Sequence, residues 1–337
     1  MLVKTTFKSA WWLNNPHLQT IYSALIRNTP SPLGVRRERL ITADNDFIDI
    51  DWFGEGDQPL IILLHGLTGS SHSDYIKGLQ RTLGLQGFRS VALNFRGCSG
   101  ELNYSARSYH SGETEDINFL YQVLREREPH TAFAAIGFSL GGNVLLKWLG
   151  EQGKQLSLFA AIAVSVPLEL NVCATKLDHG FSKVYRKHLI SELKRFIKAK
   201  QRSLEAQGNQ QEADKIERLG DLTAIKSFWE YDHQVVANLN GFKDAQDYYQ
   251  RSSSRQFLKS ITTPTLLIQD IDDPFMTAAV IPALEELSSC VHLEITKGGG
   301  HVGFIAGSIP FKPVYWLEQR IPIFLKQQLS LSGHAAE

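Results

Sequence analysis

A glycine-bounded serine between a strand-like and a helix-like segment limits the fold of this chain more than any other feature. The pentapeptide is Gly137-Phe138-Ser139-Leu140-Gly141, which reads G-x-S-x-G. Residues 132–136 are apolar, and residues 142–149 have a helical pattern. The glycines allow a sharp turn that lifts the serine oxygen from the sheet edge. The context predicts that Ser139 is a nucleophile, although five residues alone also fit a turn with an inert serine.

An acidic loop follows a later apolar strand, residues 264–269. It reads Asp270-Ile271-Asp272-Asp273-Pro274. Where a nucleophilic serine occupies such a turn, the acid comes next along the chain and the histidine last. The position a few residues beyond the strand and directly before proline favours Asp273 as the acid. Asp270 and Asp272 remain the alternatives, as solvated or turn-capping carboxylates.

A histidine follows the next strand-like segment, residues 290–295, after three glycines. The segment reads Gly298-Gly299-Gly300-His301. Such a loop has the backbone freedom to place an imidazole over the serine. We predict that His301 takes the serine proton and returns it to the leaving group, while the carboxylate fixes its tautomer. The only later histidine, His334, lies in a predicted disordered tail.

An early apolar strand, Ile61 to Leu64, ends in His65-Gly66-Leu67. In enzymes of this type, the oxyanion is held by a backbone N–H of that loop and by the N–H that follows the nucleophile. These donors correspond to the backbone amides of Leu67 and Leu140. His65 could be mistaken for a base, but at this position we expect it to shape the loop.

Charge and cysteine content exclude several classes of protein. The 337 residues have a formal net charge of zero, so there is no global basic field for nucleic acid. Cys98, Cys173 and Cys290 lie far apart, which argues for a reducing compartment and against a disulfide or metal framework. No apolar run is long enough for a signal peptide or a membrane span. We therefore expect a cytoplasmic monomer that uses no cofactor and no metal.

Strand-like and helix-like segments alternate from about residue 36. This alternation predicts the α/β class, with a mostly parallel central sheet and helices on both faces. The strand, turn and helix around Ser139 specify an α/β-hydrolase fold. The expected core is residues 36–167 and 261–330, opened by an antiparallel strand pair. Residues 1–35 should form an N-terminal arm that packs on the core, and residues 331–337 a tail.

Residues 168–260 interrupt the alternation with polar, helical patterns and are predicted to form a helical lid insertion over the site. Within them, residues 183–202 hold eight Lys and Arg side chains against one acid, Glu192. A solvated lid helix is the favoured interpretation. The alternative is a basic amphipathic face that makes peripheral contact with a membrane or an anionic acyl carrier.

Beyond these motifs, nearly the whole chain resembles family 4 of the AB-hydrolase superfamily, the group of the bacterial YheT-type hydrolases. The resemblance implies a triad of Ser139, Asp273 and His301 and hydrolysis of carboxylic esters, typically short-chain esters or acylglycerols. Gln269-Asp270 departs from the small residues usual before the acidic pair, so the aspartate that faces His301 stays open. The motifs are Trp11-Trp12, Pro16 to Thr20, His65 to Ser70, Asn94 to Gly100, Tyr109 to Gly112, Gly137 to Asn143, Asp272 to Pro274 and Gly299 to Phe304.

Two enzymatic functions and one binding function remain. The first is a serine hydrolase that cleaves a small-molecule ester or lipid through an acyl-enzyme. The alternative is an acyl-CoA:alcohol acyltransferase with the same acyl-enzyme, although the chain lacks an H-x-x-x-x-D acyltransferase pattern. A binding module that kept the fold is the third. The roles of five further residues stay open. They either pack and form structural hydrogen bonds or orient the substrate; the residues are Trp11, Trp12, His17, Arg96 and His110.

Overall fold

The computed structural model describes residues 1–333; residues 334–337, including His334 and most of the predicted tail, lie outside the described residues. The strands are β1 (Leu2–Val3), β2 (Arg36–Ile41), β3 (Phe47–Phe53), β4 (Leu60–Leu64), β5 (Arg89–Asn94), β6 (Phe133–Phe138), β7 (Leu158–Val164), β8 (Thr265–Asp270), β9 (Val291–Thr296), β10 (Ile305–Ala306) and β11 (Val314–Tyr315). The α-helices are α1 (Pro16–Ile21), α2 (Asp74–Leu85), α3 (Glu115–Arg127), α4 (Leu140–Gln152), α5 (Leu170–Leu177), α6 (Ser182–Ala206), α7 (Gln210–Glu217), α8 (Phe228–Tyr231), α9 (Asn238–Asn240), α10 (Ala245–Ser252) and α11 (Trp316–Leu331).

Strands β1 to β9 form a single sheet that is parallel except near one edge. Across the sheet the order is β1-β9-β8-β7-β6-β4-β5-β3-β2. Strand β3 pairs antiparallel with β5 and with β2, and the second of these pairs is the predicted opening hairpin. The other neighbours pair in parallel. The mostly parallel central sheet predicted from the alternation of segments is confirmed.

Both faces of the sheet are covered by helices, and for that reason the central strands β4, β6 and β7 contain no polar or charged side chain. In β4, Leu60, Ile62 and Leu64 belong to one apolar cluster, while Ile61 and Leu63 belong to the other. Helices α3 and α4 contribute to the first cluster, and α2 and α11 contribute to the second. The parallel strands therefore end at one edge, where the loops that carry the predicted site residues meet.

The chain leaves the sheet between β7 and β8 to form a helical insertion, residues 168–260. The insertion contains α5 to α10, and its helices share an apolar cluster separate from the two sheet clusters. Helix α6 spans the basic segment and is amphipathic: Leu193 and Ile197 are buried, whereas Lys187 is exposed. This distribution explains the alternation of apolar and basic residues in the sequence.

One basic residue of α6 lies inside the protein. Lys200 is fully buried, and burial lowers the pKa of its ammonium group to about 8. Its Nζ donates to the backbone oxygen of Arg107 and to Ser108 Oγ at 3.4 Å. These hydrogen bonds of Lys200 connect the insertion to the loop between β5 and α3.

The N-terminal segment joins the sheet as well as packing on it. Strand β1 pairs in parallel with β9, with Leu2 opposite Leu293, and thereby extends the sheet by one strand. Helix α1 continues into a π-helical turn, Tyr22–Ile26. Between β1 and α1, Trp12 packs edge-on against Tyr22 with ring centroids 5.8 Å apart.

Candidate active site

Ser139 lies at the junction of β6 and α4 in a strained backbone conformation. Its φ is 51° and its ψ is −119°, values that a residue with a side chain rarely adopts. The flanking glycines are required by close packing: a Cβ on Gly137 would lie 2.4 Å from the backbone oxygen of Gly141, and a Cβ on Gly141 would lie 2.5 Å from that of His65. The turn brings Ser139 Oγ to the edge where the parallel strands end.

The structure brings together the serine, the histidine and one of the three candidate aspartates. His301 Nε2 is 2.9 Å from Ser139 Oγ, and His301 Nδ1 is 2.8 Å from Asp273 Oδ2. An ionised carboxylate only accepts hydrogen bonds, so Nδ1 carries the proton and Nε2 is left to accept one from the serine hydroxyl. Asp273 is buried, and its Oδ1 also accepts from the backbone N–H of Phe275 at 2.8 Å.

The other two aspartates of the acidic loop do not face the histidine. The Asp270 carboxylate accepts from Gly299 N and Thr296 Oγ1, both at 2.7 Å. Burial raises the pKa of this carboxyl group above its usual value. Asp272 is half-buried, and its backbone N–H donates to Asp270 Oδ1 at 3.0 Å. Asp270 therefore ties the acidic loop to the glycine loop, and the geometry favours Asp273 as the triad acid.

The two predicted oxyanion donors border the serine with their N–H groups unengaged. Among the described residues, no hydrogen-bond acceptor is seen for Leu67 N or Leu140 N, whereas the amides on either side of Leu67 have one. Gly66 N donates to Tyr75 Oη at 2.8 Å, and Thr68 N donates to Tyr109 Oη at 3.0 Å. The two tyrosines hold the loop on either side of Leu67. Leu140 is the first residue of α4, where free N–H groups favour negative charge.

His65 shapes this loop, as expected from its position. It is buried; Nδ1 donates to the Gly66 backbone oxygen at 2.8 Å, and Nε2 accepts from Phe95 N at 3.1 Å. Burial lowers its pKa to about 4, so it is neutral at physiological pH. Both ring nitrogens form hydrogen bonds with backbone groups, and neither contacts Ser139.

The N-terminal arm holds the loop of His301, a role that sequence reasoning missed. Thr20 Oγ1 accepts from the His301 backbone N–H at 2.9 Å and donates to the Pro16 backbone oxygen at 2.8 Å. The arm approaches so closely that a Cβ on Gly300 would lie 2.4 Å from the Pro16 oxygen. Gln19 is fully buried, and its Oε1 accepts from Ile305 N at 2.6 Å. The only signal in the sequence was the Pro16 to Thr20 motif itself.

Replacing Thr20 with valine should lower kcat on esters roughly tenfold with little change in KM. Valine has the shape of threonine but leaves the buried His301 N–H without its acceptor, so the imidazole is less well fixed. The fluorophosphonate labelling rate at Ser139 should fall with kcat. Thr20→Ser, which keeps the hydroxyl, is the matched control and should restore both rates. Wild-type kcat in the valine variant would contradict this role.

Aromatic contacts connect the histidine to the insertion. The Phe275 ring stacks on His301 with centroids 4.1 Å apart and planes 2° from parallel. Tyr185 of α6 packs against Phe275, and its hydroxyl is 3.0 Å from His17 Nδ1. His17 therefore links the N-terminal arm to the insertion, which assigns it a structural contact beside the site.

The cavity in front of Ser139 has a volume of about 90 Å³ and is roofed by the insertion. His301 and Ser139 form its polar end, and most other lining side chains are apolar. Burial raises the pKa of the Cys173 thiol well above its usual value, so this residue lines the cavity as an uncharged group. The lining residues from the insertion are Leu170, Cys173, Ala174, Leu177, Leu189, Phe228, Asp232, Tyr248 and Tyr249.

Four other residues whose roles the sequence left open do not line this cavity: Arg96, His110, Trp11 and Trp12. Arg96 is buried and paired with Asp116 at 2.8 Å, which makes it structural. His110 lines a neighbouring cavity, and burial lowers its pKa to about 3. Trp11 is exposed and donates from Nε1 to the Ser308 backbone oxygen at 2.9 Å, while Trp12 packs within the arm.

Two other kinds of site are absent from residues 1–333. No helix in this range has the length and apolar character needed to cross a bilayer. The same range contains no group of three or more His, Cys, Asp or Glu side chains arranged to hold a metal ion.

Comparisons with known proteins agree with this architecture. The α/β-hydrolase fold family matches residues 59–308. The chain is 39% identical to the Escherichia coli protein named "Putative esterase YheT", over 94% of this chain and 92% of that protein. It is 30% identical to the mouse phospholipase ABHD3 over 93% of this chain and 77% of that protein. The Pyrococcus furiosus esterase Pf2001 shares the fold, with a TM-score of 0.57 at 17% identity over 90% and 96% of the two chains. The resemblance and the fold predicted from the sequence are thereby confirmed: the chain belongs to the α/β-hydrolase family and is a carboxylic ester hydrolase.

Proposed function

We propose that this protein cleaves carboxylic esters through an acyl-enzyme on Ser139, with His301 as general base and acid and Asp273 as the orienting carboxylate. The observation that carries the proposal is the continuous hydrogen-bond chain from Asp273 Oδ2 through His301 to Ser139 Oγ, with lengths of 2.8 and 2.9 Å. Its order and spacing match what nucleophilic serine catalysis requires.

In the first half-reaction, Ser139 Oγ attacks the ester carbonyl carbon as its proton passes to His301 Nε2. The carbonyl oxygen becomes an oxyanion that accepts hydrogen bonds from the backbone amides of Leu67 and Leu140. Collapse of this intermediate breaks the bond to the alcohol, which takes the proton from Nε2. Asp273 stabilises the imidazolium that exists between the two transfers.

In the second half-reaction, a water molecule gives a proton to His301 Nε2 and attacks the acyl carbon. Collapse of the second oxyanion breaks the bond to Ser139 Oγ, which recovers the proton from Nε2. The carboxylic acid leaves, and the enzyme returns to its starting state. Atoms and charges balance without a cofactor.

Short-chain esters or acylglycerol-like lipids are the proposed substrates. The cavity is apolar, but at about 90 Å³ it is smaller than the roughly 300 Å³ at which drug-sized ligand sites begin. A short acyl group therefore suits the described conformation. A longer chain requires the insertion to move as a lid, in the way that many enzymes admit substrate.

Hydrolysis of p-nitrophenyl esters from acetyl to palmitoyl, measured beside labelling by a fluorophosphonate, tests the proposal. We expect labelling at Ser139 and the highest kcat/KM on short acyl chains. Added alcohol separates hydrolysis from acyl transfer, because an ester product that outpaces free acid would favour the acyltransferase. A folded protein that neither reacts with the probe nor cleaves any ester would refute the proposed function.

A further inference from the structure

A buried carboxylate lies in the roof of the catalytic cavity without a counterion. Asp232 begins a π-helical turn, Asp232–Ala237, directly after α8, and π-helical turns are frequent at functional sites. Only 8% of the surface of Asp232 is exposed to solvent. The Tyr249 hydroxyl donates to Asp232 Oδ2 at 2.6 Å. Within residues 1–333, no Lys, Arg or His lies within ion-pair distance of this carboxylate.

Asp232 shares a cavity with the proposed nucleophile. It lines the cavity that contains Ser139, and it also lines a second cavity of about 70 Å³ behind it. Leu67 and Leu140, whose amides are the proposed oxyanion donors, line both cavities as well. Asp232 therefore lies in the wall shared by the two cavities, both of which are also bordered by the residues of the proposed oxyanion donors.

One oxygen of this carboxylate is available to a ligand. Oδ2 is engaged by Tyr249, whereas Oδ1 has no hydrogen-bond partner among the described residues and is not one of their fully buried, unpartnered atoms. Burial raises the pKa of this carboxyl group to about 7, so the ionised form is present at and above neutral pH. A substrate that fills the cavity displaces the water that Oδ1 would otherwise bind, and a purely alkyl chain would leave the oxygen unsatisfied.

We propose that Asp232 accepts a hydrogen bond from a hydroxyl group of the substrate and thereby selects esters that carry a free hydroxyl close to the ester carbonyl. The inference rests on the proposed function, since it assumes that the cavity binds the ester that Ser139 attacks. The hydroxyl can belong to the alcohol part or to the acyl part, because Asp232 borders both cavities.

Two pairs of esters distinguish a hydroxyl in the alcohol part from one in the acyl part. Within each pair, a hydroxyl group replaces a methyl group of similar size. The alcohol-side pair is 3-hydroxypropyl butyrate and butyl butyrate. The acyl-side pair is ethyl 3-hydroxybutyrate and ethyl 3-methylbutyrate. The readout is the ratio of kcat/KM within each pair, measured at about pH 8.5, where Asp232 is ionised. The wild-type enzyme should prefer the hydroxyl ester roughly ten- to hundredfold in at least one pair.

The test variant is the double replacement Asp232→Leu with Tyr249→Phe, which removes both partners of the internal hydrogen bond together and leaves neither unsatisfied. The hydroxyl preference should disappear, whatever the absolute rate. Tyr249→Phe alone is the matched control and should keep most of the preference, because the carboxylate remains. No preference in the wild type for either pair, or an undiminished preference in the double variant, would overturn the proposal.

A second variant covers the case in which the double variant does not fold. Asp232→Asn keeps the shape and the acceptor for Tyr249, so its Nδ2 would present a hydrogen-bond donor to the cavity. On the side where the wild type prefers the hydroxyl ester, the preference should shift towards the methoxy analogue, which offers only an acceptor: 3-methoxypropyl butyrate on the alcohol side or ethyl 3-methoxybutyrate on the acyl side. An unchanged ratio of hydroxyl to methoxy ester on that side would again overturn the proposal.

The same experiments distinguish failure of the proposed function from failure of the role proposed for Asp232. If the wild-type protein cleaved no ester and Ser139 did not react with a fluorophosphonate, the proposed function and the role of Asp232 would both fall. If Ser139 reacted and the alkyl esters were cleaved without a hydroxyl preference, the role of Asp232 alone would be wrong.

Discussion

Replacing Ser139 with alanine should reduce kcat on p-nitrophenyl esters by roughly 10⁵- to 10⁶-fold. The nucleophile is lost, and only the oxyanion donors and substrate binding continue to accelerate the reaction. The fold should be unaffected, because alanine occupies the same φ of 51° as serine and fills no new space. We expect the free energy of unfolding to change by less than about 0.5 kcal/mol.

Ser139→Gly is the matched variant that separates chemistry from backbone strain. It should be equally inactive, yet more stable than Ser139→Ala by about 1 kcal/mol, because glycine adopts the positive φ without a steric cost. Thermal or denaturant unfolding measures this difference. Substantial esterase activity in either variant, or a large loss of stability in the alanine variant, would show that Ser139 is not the nucleophile of a strained turn.

Replacing Asp273 with asparagine should lower kcat by about 10⁴-fold. The buried carboxylate accepts a hydrogen bond from His301 Nδ1 at 2.8 Å, and in the proposed mechanism it stabilises the imidazolium. An asparagine that presents its amide N–H to Nδ1 favours the opposite tautomer, in which Nε2 carries a proton and cannot accept one from Ser139. KM should change little, because Asp273 lies behind the histidine.

The neighbouring aspartates provide the controls for this variant. Asp272→Asn should behave like the wild type, because its side chain does not contact His301. Asp270→Asn should act chiefly on the melting temperature, because the Asp270 carboxylate accepts three hydrogen bonds, one within the acidic loop and two that join this loop to β9 and the glycine loop. A larger loss of kcat in a folded Asp270 variant than in the Asp273 variant would assign the acid to Asp270.

Sequence patterns were sufficient for the sheet and the serine turn because those features are encoded locally. Apolar runs of strand length, glycines on both sides of Ser139 and a helical pattern after it all lie within a few residues of each other. Strand boundaries shifted by one residue: the strand predicted at residues 264–269 is observed as Thr265–Asp270, and the one predicted at residues 290–295 as Val291–Thr296. Such shifts arise because pairing with neighbouring strands, rather than local sequence, decides where a strand ends.

The choice among the aspartates could not be made in the same way. Asp270, Asp272 and Asp273 lie within four residues, and their side chains diverge only because the loop folds back on β9 and the glycine loop. Asp232 was missed for a related reason. Within a polar helical segment, one more aspartate carries no local signal, and its burial becomes visible only once α8 and α10 pack together.

The contact between the arm and the histidine loop has a consequence for the order in which the enzyme becomes active during its synthesis. Thr20 and His301 are 281 residues apart, and β1 pairs with β9 across a similar distance in the sequence. Contacts of such high sequence separation form late in folding, and here they need almost the whole chain to have left the ribosome. A nascent chain that has already made the turn around Ser139 still lacks His301, its proposed base. The proposed site is therefore complete only once residues 1–20 have come together with β9 and the loop of His301.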